Sequence, residues 1–266
     1  MTTSSYQVPD PQAFSTAHDL AWDDLTRARA ALAAVECAAM AAAVDDLLRR
    51  IGEAPAATLQ LRVRRYQGLT VTGLYRTEEG ERKQLVTTTI LTDLAQRLDE
   101  DNEDGWRPLG TFTSQENADG DGSFDLDLAK ARSLLPAQEV RHARWATSQG
   151  VKQARARLAR LDCTALAIIV RGILTEDDAR DSFDAVSLEM EIRPHGMLVF
   201  TGFYGTASGG RGELEERDTH HMYDYTLDLE GRAGWEPLCT RDSRRPSVVH
   251  LDLVAASRFP PPAGEA

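Results

Sequence analysis

The chain repeats itself, and an internal repeat limits the possible folds more tightly than any composition does. With an offset of 126, residues 25–44 (LTRARAALAAVECAAMAAAV) lie over residues 151–170 (VKQARARLARLDCTALAIIV), and nine of the twenty positions are identical. Alanine matches are cheap in such a stretch, but Arg29/Arg155, Leu32/Leu158, Cys37/Cys163 and Val44/Val170 are not. With an offset of 129, VTGLYRT (71–77) lies over FTGFYGT (200–206), and GWRPLGT (105–111) lies over GWEPLCT (234–240). Leu126-Asp127-Leu128 matches Leu251-Asp252-Leu253 at an offset of 125. The offset changes where turn residues cluster, which is where insertions are tolerated. The four tryptophans also pair, Trp22 with Trp145 and Trp106 with Trp235. The pattern implies a tandem duplication: a flexible arm 1–15, a repeat unit 16–131, a second unit 137–257 and a flexible tail 258–266.

Each unit has the same outline. Ser15 and Thr16 are cap residues for a helix running to about Arg50, with Leu25, Leu32, Val35, Met40, Val44, Leu47 and Ile51 at three- and four-residue steps. Gly52 and Pro55 end it. Leu59, Leu61 and Val63 alternate with polar residues as in a half-buried strand, and Gln67-Gly68 turns the chain into a second strand over 69–77. Segment 88–99 reads as a short helix, although its counterpart 218–229 reads almost equally well as a strand. Two closing strands follow near 107–113 and 123–130, then near 236–241 and 247–254. The fold class is α+β: an α-β-β-x-β-β unit twice over, long helices packed on antiparallel sheet, arranged about a pseudo-two-fold axis. Whether the copies share one sheet or form two stays open.

Residues common to both copies read as structural. Gly73 and Gly202, mid-strand after threonine, mark a bulge or a close backbone approach. Trp106 and Trp235 anchor their strands through large buried area. Cys37 and Cys163 sit among alanines and behave as small hydrophobes.

Composition excludes several functions. The formal charge is −12 and the pI about 5, the reverse of a whole-surface nucleic-acid binder. Three cysteines do not make a disulfide framework and point to a reducing compartment. The most apolar run, TALAIIV at 164–170, is far shorter than the ~20 residues of a membrane span, and MTTSSYQVPDPQ is not a signal peptide. A cytoplasmic location away from membranes is expected.

Function is sought where the copies differ. Val140 to Leu161 carries Arg141, Arg144, Lys152, Arg155, Arg157 and Arg160 with no acidic residue, a local positive field suited to a partner surface. The competing reading is a solvated face balancing acidic stretches such as DEDNED at 99–104. Asp218, His220, His221, Tyr223, Asp224 and Tyr225 crowd one segment, where a histidine beside a carboxylate meets the minimum for acid–base chemistry, with Tyr204 as a further hydroxyl. That segment also reads as plain polar surface, without zinc-site spacing. The loop from Asn117 to Asp127 half-matches a calcium loop, but Leu128 stands where the bidentate acid belongs. Gly205 to Gly212 resembles a phosphate loop only superficially and reads as a hairpin connection.

No nucleophile elbow, dinucleotide fingerprint or Cys-x-x-Cys is present, and no cofactor or metal is expected. The favoured function is a non-enzymatic interaction protein: an adaptor, dedicated chaperone, inhibitor or assembly component with a protein partner. The alternative is an enzyme or small-ligand binder with a cleft between the copies. In that case His220 or His221 is the acid/base, Asp218 or Asp224 the orienter, and Tyr204 or Tyr223 the hydroxyl donor. Third comes nucleic-acid association through 141–160.

Overall fold

The computed structural model describes residues 6–54, 56, 58–64, 68–78, 81–85, 95, 98, 102–115, 122–176, 184–194, 196–214, 222 and 227–258. The fold is α+β, with long helix packed on two antiparallel sheets. The chain divides into two compact units: Thr26–Val151, and Met1–Leu25 together with Lys152–Ala266. Both divisions fall inside long helices, so each unit takes a helical segment from two distant parts of the sequence.

Helix α1 (Pro11–Arg50) begins ahead of Ser15 and Thr16, the caps expected from sequence. Asp10 caps it instead, its carboxylate accepting the Ala13 N–H at 2.8 Å. Pro11 occupies the first turn, where a missing N–H costs nothing. Residues 6–15 of the expected arm are accordingly placed. Tyr6 is buried, its hydroxyl donates to the Ala167 carbonyl at 2.7 Å, and Arg171 donates to the Tyr6 carbonyl. At the other end of α1, Arg49 and Arg50 suit the negative pole of the helix, and Gly52 leaves it at a φ of +75°.

In the Thr26–Val151 unit, α1 is followed by β1 (Thr58–Arg64), β2 (Gly68–Glu78) and β3 (Glu81–Leu85). A one-turn helix α2 (Glu103–Trp106) and a 3₁₀ turn (Arg107–Leu109) lead to β4 (Gly110–Gln115) and β5 (Gly122–Asp127). The sheet order is β3-β2-β1-β5-β4, every pair antiparallel. Ala33, Cys37, Met40, Ala41, Val44 and Leu48 form the buried stripe of α1. They meet Leu59, Leu61 and Val63 of β1, Leu74 of β2, Phe124 and Leu126 of β5, and Trp106. Helix α3 (Leu128–Leu134) and the first turns of α4 (Val140–Glu176) complete the unit.

The second unit has the same element order. The remainder of α4 precedes β6 (Ala185–Ile192), β7 (Leu198–Thr206) and β8 (Arg211–Glu213). Then come α5 (Arg232–Trp235), a 3₁₀ turn (Glu236–Leu238), β9 (Cys239–Arg241), β10 (Val248–Asp252) and α6 (Leu253–Ala256). The strand order is β8-β7-β6-β10-β9. Cys163, Leu166, Ala167, Val170 and Leu174 of α4 pack on Leu188, Met190, Phe200 and Leu251, with Trp235 between them.

The structure departs from the predicted unit in two ways. A third strand, β3 or β8, follows each hairpin. It escapes the hydrophobic pattern because an edge strand such as ERKQL carries charge to discourage further pairing. The last strand of each unit also stops earlier than expected, because the aspartate of each Leu-Asp-Leu is a helix cap. Asp127 accepts from the N–H groups of Ala129 and Lys130, and Asp252 from that of Ala255. Of the two ambiguous segments, Ala95 is helical, Met222 lies in a 3₁₀ turn and Leu227 forms an isolated bridge to Leu198.

The repeated glycines have clear roles. The β1–β2 and β6–β7 registers slip beside Gly73 and Gly202, and Gly202 adopts a φ of +92°. Gly105 and Gly234 lie so close to α1 and α4 that a Cβ would stand 1.9 Å from the carbonyl oxygens of Ala30 and Ala156. These contacts let Trp106 and Trp235 reach the core, each 1% exposed.

Candidate functional site

The six cations of 141–160 all project from α4, but they do different things. Arg144 donates to Glu36 of α1 at 2.7 Å, and the Glu36 side chain is only 4% exposed. Arg155 holds Asp228 and also reaches Glu230 at 2.7 Å. Arg157 pairs with Asp24 at 2.9 Å, and Arg160 donates to the Ala255 carbonyl at 2.9 Å. These four guanidiniums are engaged within the molecule, whereas Arg141 and Lys152 are exposed. Burial pushes the Asp228 carboxyl up, but the hydrogen bonds from Arg155 and the Gly231 N–H outweigh it and hold the group below its usual range.

Around Arg141 the surface is aromatic as well as basic. Trp145 stands one turn further along α4 with 65% of its surface exposed, and the His142 ring lies 6.5 Å from its indole. Val140, on the other side of this turn, is buried against Ala38 and Ala39. On α1, Trp22 is 55% exposed between the exposed Asp19 and Asp23. Trp22 and Trp145 are both exposed helix positions, but the 126-residue offset that runs along the two helices sets Trp22 over Ser148, so the two are not equivalent; Trp106 and Trp235 are core.

The proposed acid–base residues Asp218, His220, His221, Tyr223 and Asp224 lie outside the described residues, as do Tyr225 and residues 117–121. Tyr204 is on β7, half-buried against the core of the second unit. Among the described residues no group of three or more metal-ligating side chains converges. No helix is long and apolar enough to cross a membrane, again among the described residues.

Two ionic sites were not singled out in the sequence. On the outer face of β6, Glu189 is 5% exposed at its side chain, where Arg245 (2.8 Å), Arg211 (3.1 Å) and the Thr201 hydroxyl (3.1 Å) converge on it. Arg245 leads the interactions that depress the Glu189 carboxyl. Arg245 also pairs with Asp242 at 3.0 Å, and the Arg211 guanidinium lies 3.5 Å above the Phe203 ring. The charges balance, which makes this a structural network on the sheet.

The second site is between helices: His18 Nε2 of α1 meets Asp162 Oδ1 of α4 at 2.9 Å, with side chains 25% and 13% exposed. The Asp162 hydrogen bond raises the His18 pKa, and burial raises that of Asp162. The signal for it was in the sequence. Extending the 126-residue offset toward the N-terminus sets His18 over Arg144 and Glu36 over Asp162. In the Thr26–Val151 unit, the depression beside α1 is lined by Asp45, Leu48, Arg49, Glu53 and Arg132. Asp45 already binds Arg132 through two nitrogens, which leaves that arginine committed to its neighbour.

Compared with protein-family models, with curated proteins and with solved structures, the chain matches none.

Proposed function

We propose that the chain is a non-enzymatic protein-interaction protein, an adaptor or dedicated chaperone in type, built from two diverged copies of one module. Three correspondences support the duplication. Gly105 and Gly234 make the same approach to alanine carbonyls 126 residues apart, and Asp127 and Asp252 each cap a short helix that follows the last strand. Glu36 and Asp162 each bind a cation at aligned positions. Contacts of this kind follow from a shared ancestral packing.

The observation that carries the function is the exposed Trp145 beside Arg141 and His142 on a helix turn whose opposite side is buried. An exposed indole beside a positive side chain is the combination that protein interfaces use most, because tryptophan and arginine dominate their energetics. The partner that fits is a protein segment with apolar side chains flanked by acids. Because Arg144, Arg155, Arg157 and Arg160 are held internally, Arg141 and Trp145 are the residues to change.

The test is affinity isolation of the full chain from its own cells, wild type beside an Arg141→Ala/Trp145→Ala variant of unchanged circular dichroism. One defined protein should be recovered with the wild type and lost with the variant. Equal recovery with both, or a nucleic acid in its place, would remove this surface from the function.

A further inference from the structure

His18–Asp162 and Arg144–Glu36 occupy aligned positions and make the same kind of contact, a cation of one long helix on a carboxylate of the other. They differ in one chemical respect. A guanidinium keeps its charge at any physiological pH, whereas an imidazole titrates near neutrality. We propose that the His18–Asp162 contact is a proton-operated clamp that fastens residues 6–25 to the rest of their unit, closed when His18 is protonated and loosened when it is not. The inference stands on the geometry of this pair and is independent of the partner surface proposed above.

Polar contacts tie the segment 6–25 to α4. Tyr6 bonds Ala167 and Arg171, Arg157 pairs with Asp24, and His18 pairs with Asp162 between them. His18 is the titrating member of this set near neutral pH. From α1 it faces the Phe14 ring at 5.9 Å and feels the charge of Asp19. From α4 it faces Asp162. Asp228, held by Arg155 on the segment entering α5, adds a negative charge felt by Asp162, and the buried Cys163 thiol neighbours that carboxylate.

Hydrogen bonding and burial act in different proportions on the two members of the pair. The hydrogen bond to Asp162 raises His18 above the usual imidazole value of 6.5, against an opposing effect of burial. Burial raises Asp162, against the opposing effect of His18. A cationic group whose folded pKa is raised contributes stability that is complete below the unfolded value and lost as pH climbs through the folded one. The clamp is therefore tight on the acid side of neutrality and weakens on the alkaline side.

The experiment compares thermal midpoints of the wild type, His18→Arg and His18→Gln between pH 6 and pH 9, and follows the His18 ring by NMR titration. Relative to His18→Arg, which restores the permanent cation of the aligned position, the wild type should lose about 2–4 °C across the range. His18→Gln should show no such pH-dependent loss and lie below the wild type at pH 6. Amide exchange corrected for pH should quicken within residues 11–25 of the wild type and not within 30–48. Parallel wild-type and His18→Arg curves would overturn the clamp. So would a His18 ring titrating at or below 6.5, a result that needs no variant to fold.

Discussion

Gly105 and Gly234 provide the sharpest test of how helix and sheet are joined. A Cβ on Gly234 would stand 1.9 Å from the Ala156 oxygen, 2.8 Å from its carbon and 3.0 Å from the Arg160 nitrogen, all backbone atoms of α4. Real Cβ contacts essentially never fall below 3.0 Å, so the turn carrying Trp235 would have to retreat from the helix by about an ångström. A flexible side chain could swing away from such an intrusion, but a helix backbone cannot. Overpacking of this kind costs about 3 kcal/mol at the upper end of its usual range. For a chain of this size Gly234→Ala should then lower the melting midpoint by about 6–12 °C. Gly105→Ala meets the Ala30 carbonyl at the same 1.9 Å and should cost as much. Gly150, on α4, is the control. Nothing lies within 4 Å of its Cβ position, so Gly150→Ala should stabilise by about 0.5–1 kcal/mol through helix propensity alone. The assay is thermal unfolding followed by circular dichroism and calorimetry. If the units melt separately, Gly105→Ala and Gly234→Ala should each move a different transition. A Gly105→Ala or Gly234→Ala protein as stable as the wild type would refute the close approach.

Further outcomes follow from burial and charge. The backbone N–H of Arg244 and the Arg245 side chain depress the Asp242 carboxyl to about 2, so its contribution is present above the ordinary value of 3.8 and lost as pH falls through 2. Asp242→Asn should flatten the acid limb of a midpoint-against-pH curve in that window, and an unchanged limb would count against the contact. Acrylamide should quench Trp22 and Trp145 but not Trp106 and Trp235, so emission from a Trp22→Phe/Trp145→Phe protein should resist quencher until the protein is unfolded. Burial pushes the Cys37 and Cys239 thiols up to about 12 and the Cys163 thiol well above its ordinary range. All three are free, and mass spectrometry should find them unlabelled by iodoacetamide at pH 8 in the folded protein and labelled in denaturant.

Much of the scaffold was legible because its causes are local. Alternation over Leu59, Leu61 and Val63 marks β1 and glycine after threonine marks the slips beside Gly73 and Gly202, whereas of the apolar steps along α1 only Leu25, Met40 and Val44 are buried and Ile51 is 51% exposed. Strands β3 and β8 carry no such mark, because an edge strand has little apolar surface to declare itself. The candidate site was read less well. Charge density along 141–160 suggested one patch, yet whether a guanidinium faces solvent or a carboxylate depends on what a distant segment brings to it. Glu36 lies 108 residues from Arg144, and Asp228 lies 73 residues from Arg155.

By itself, then, the sequence determined the class of fold, the helix and core strands of each unit, and the residues that recur between them, because periodicity and turn chemistry act over a few residues. The tertiary structure decided that residues 6–25 belong with the unit that begins at Lys152, that four of the six cations are spent internally, and that His18 stands against Asp162. Those outcomes rest on contacts between groups more than seventy residues apart, and only a folded chain brings such groups within hydrogen-bonding distance.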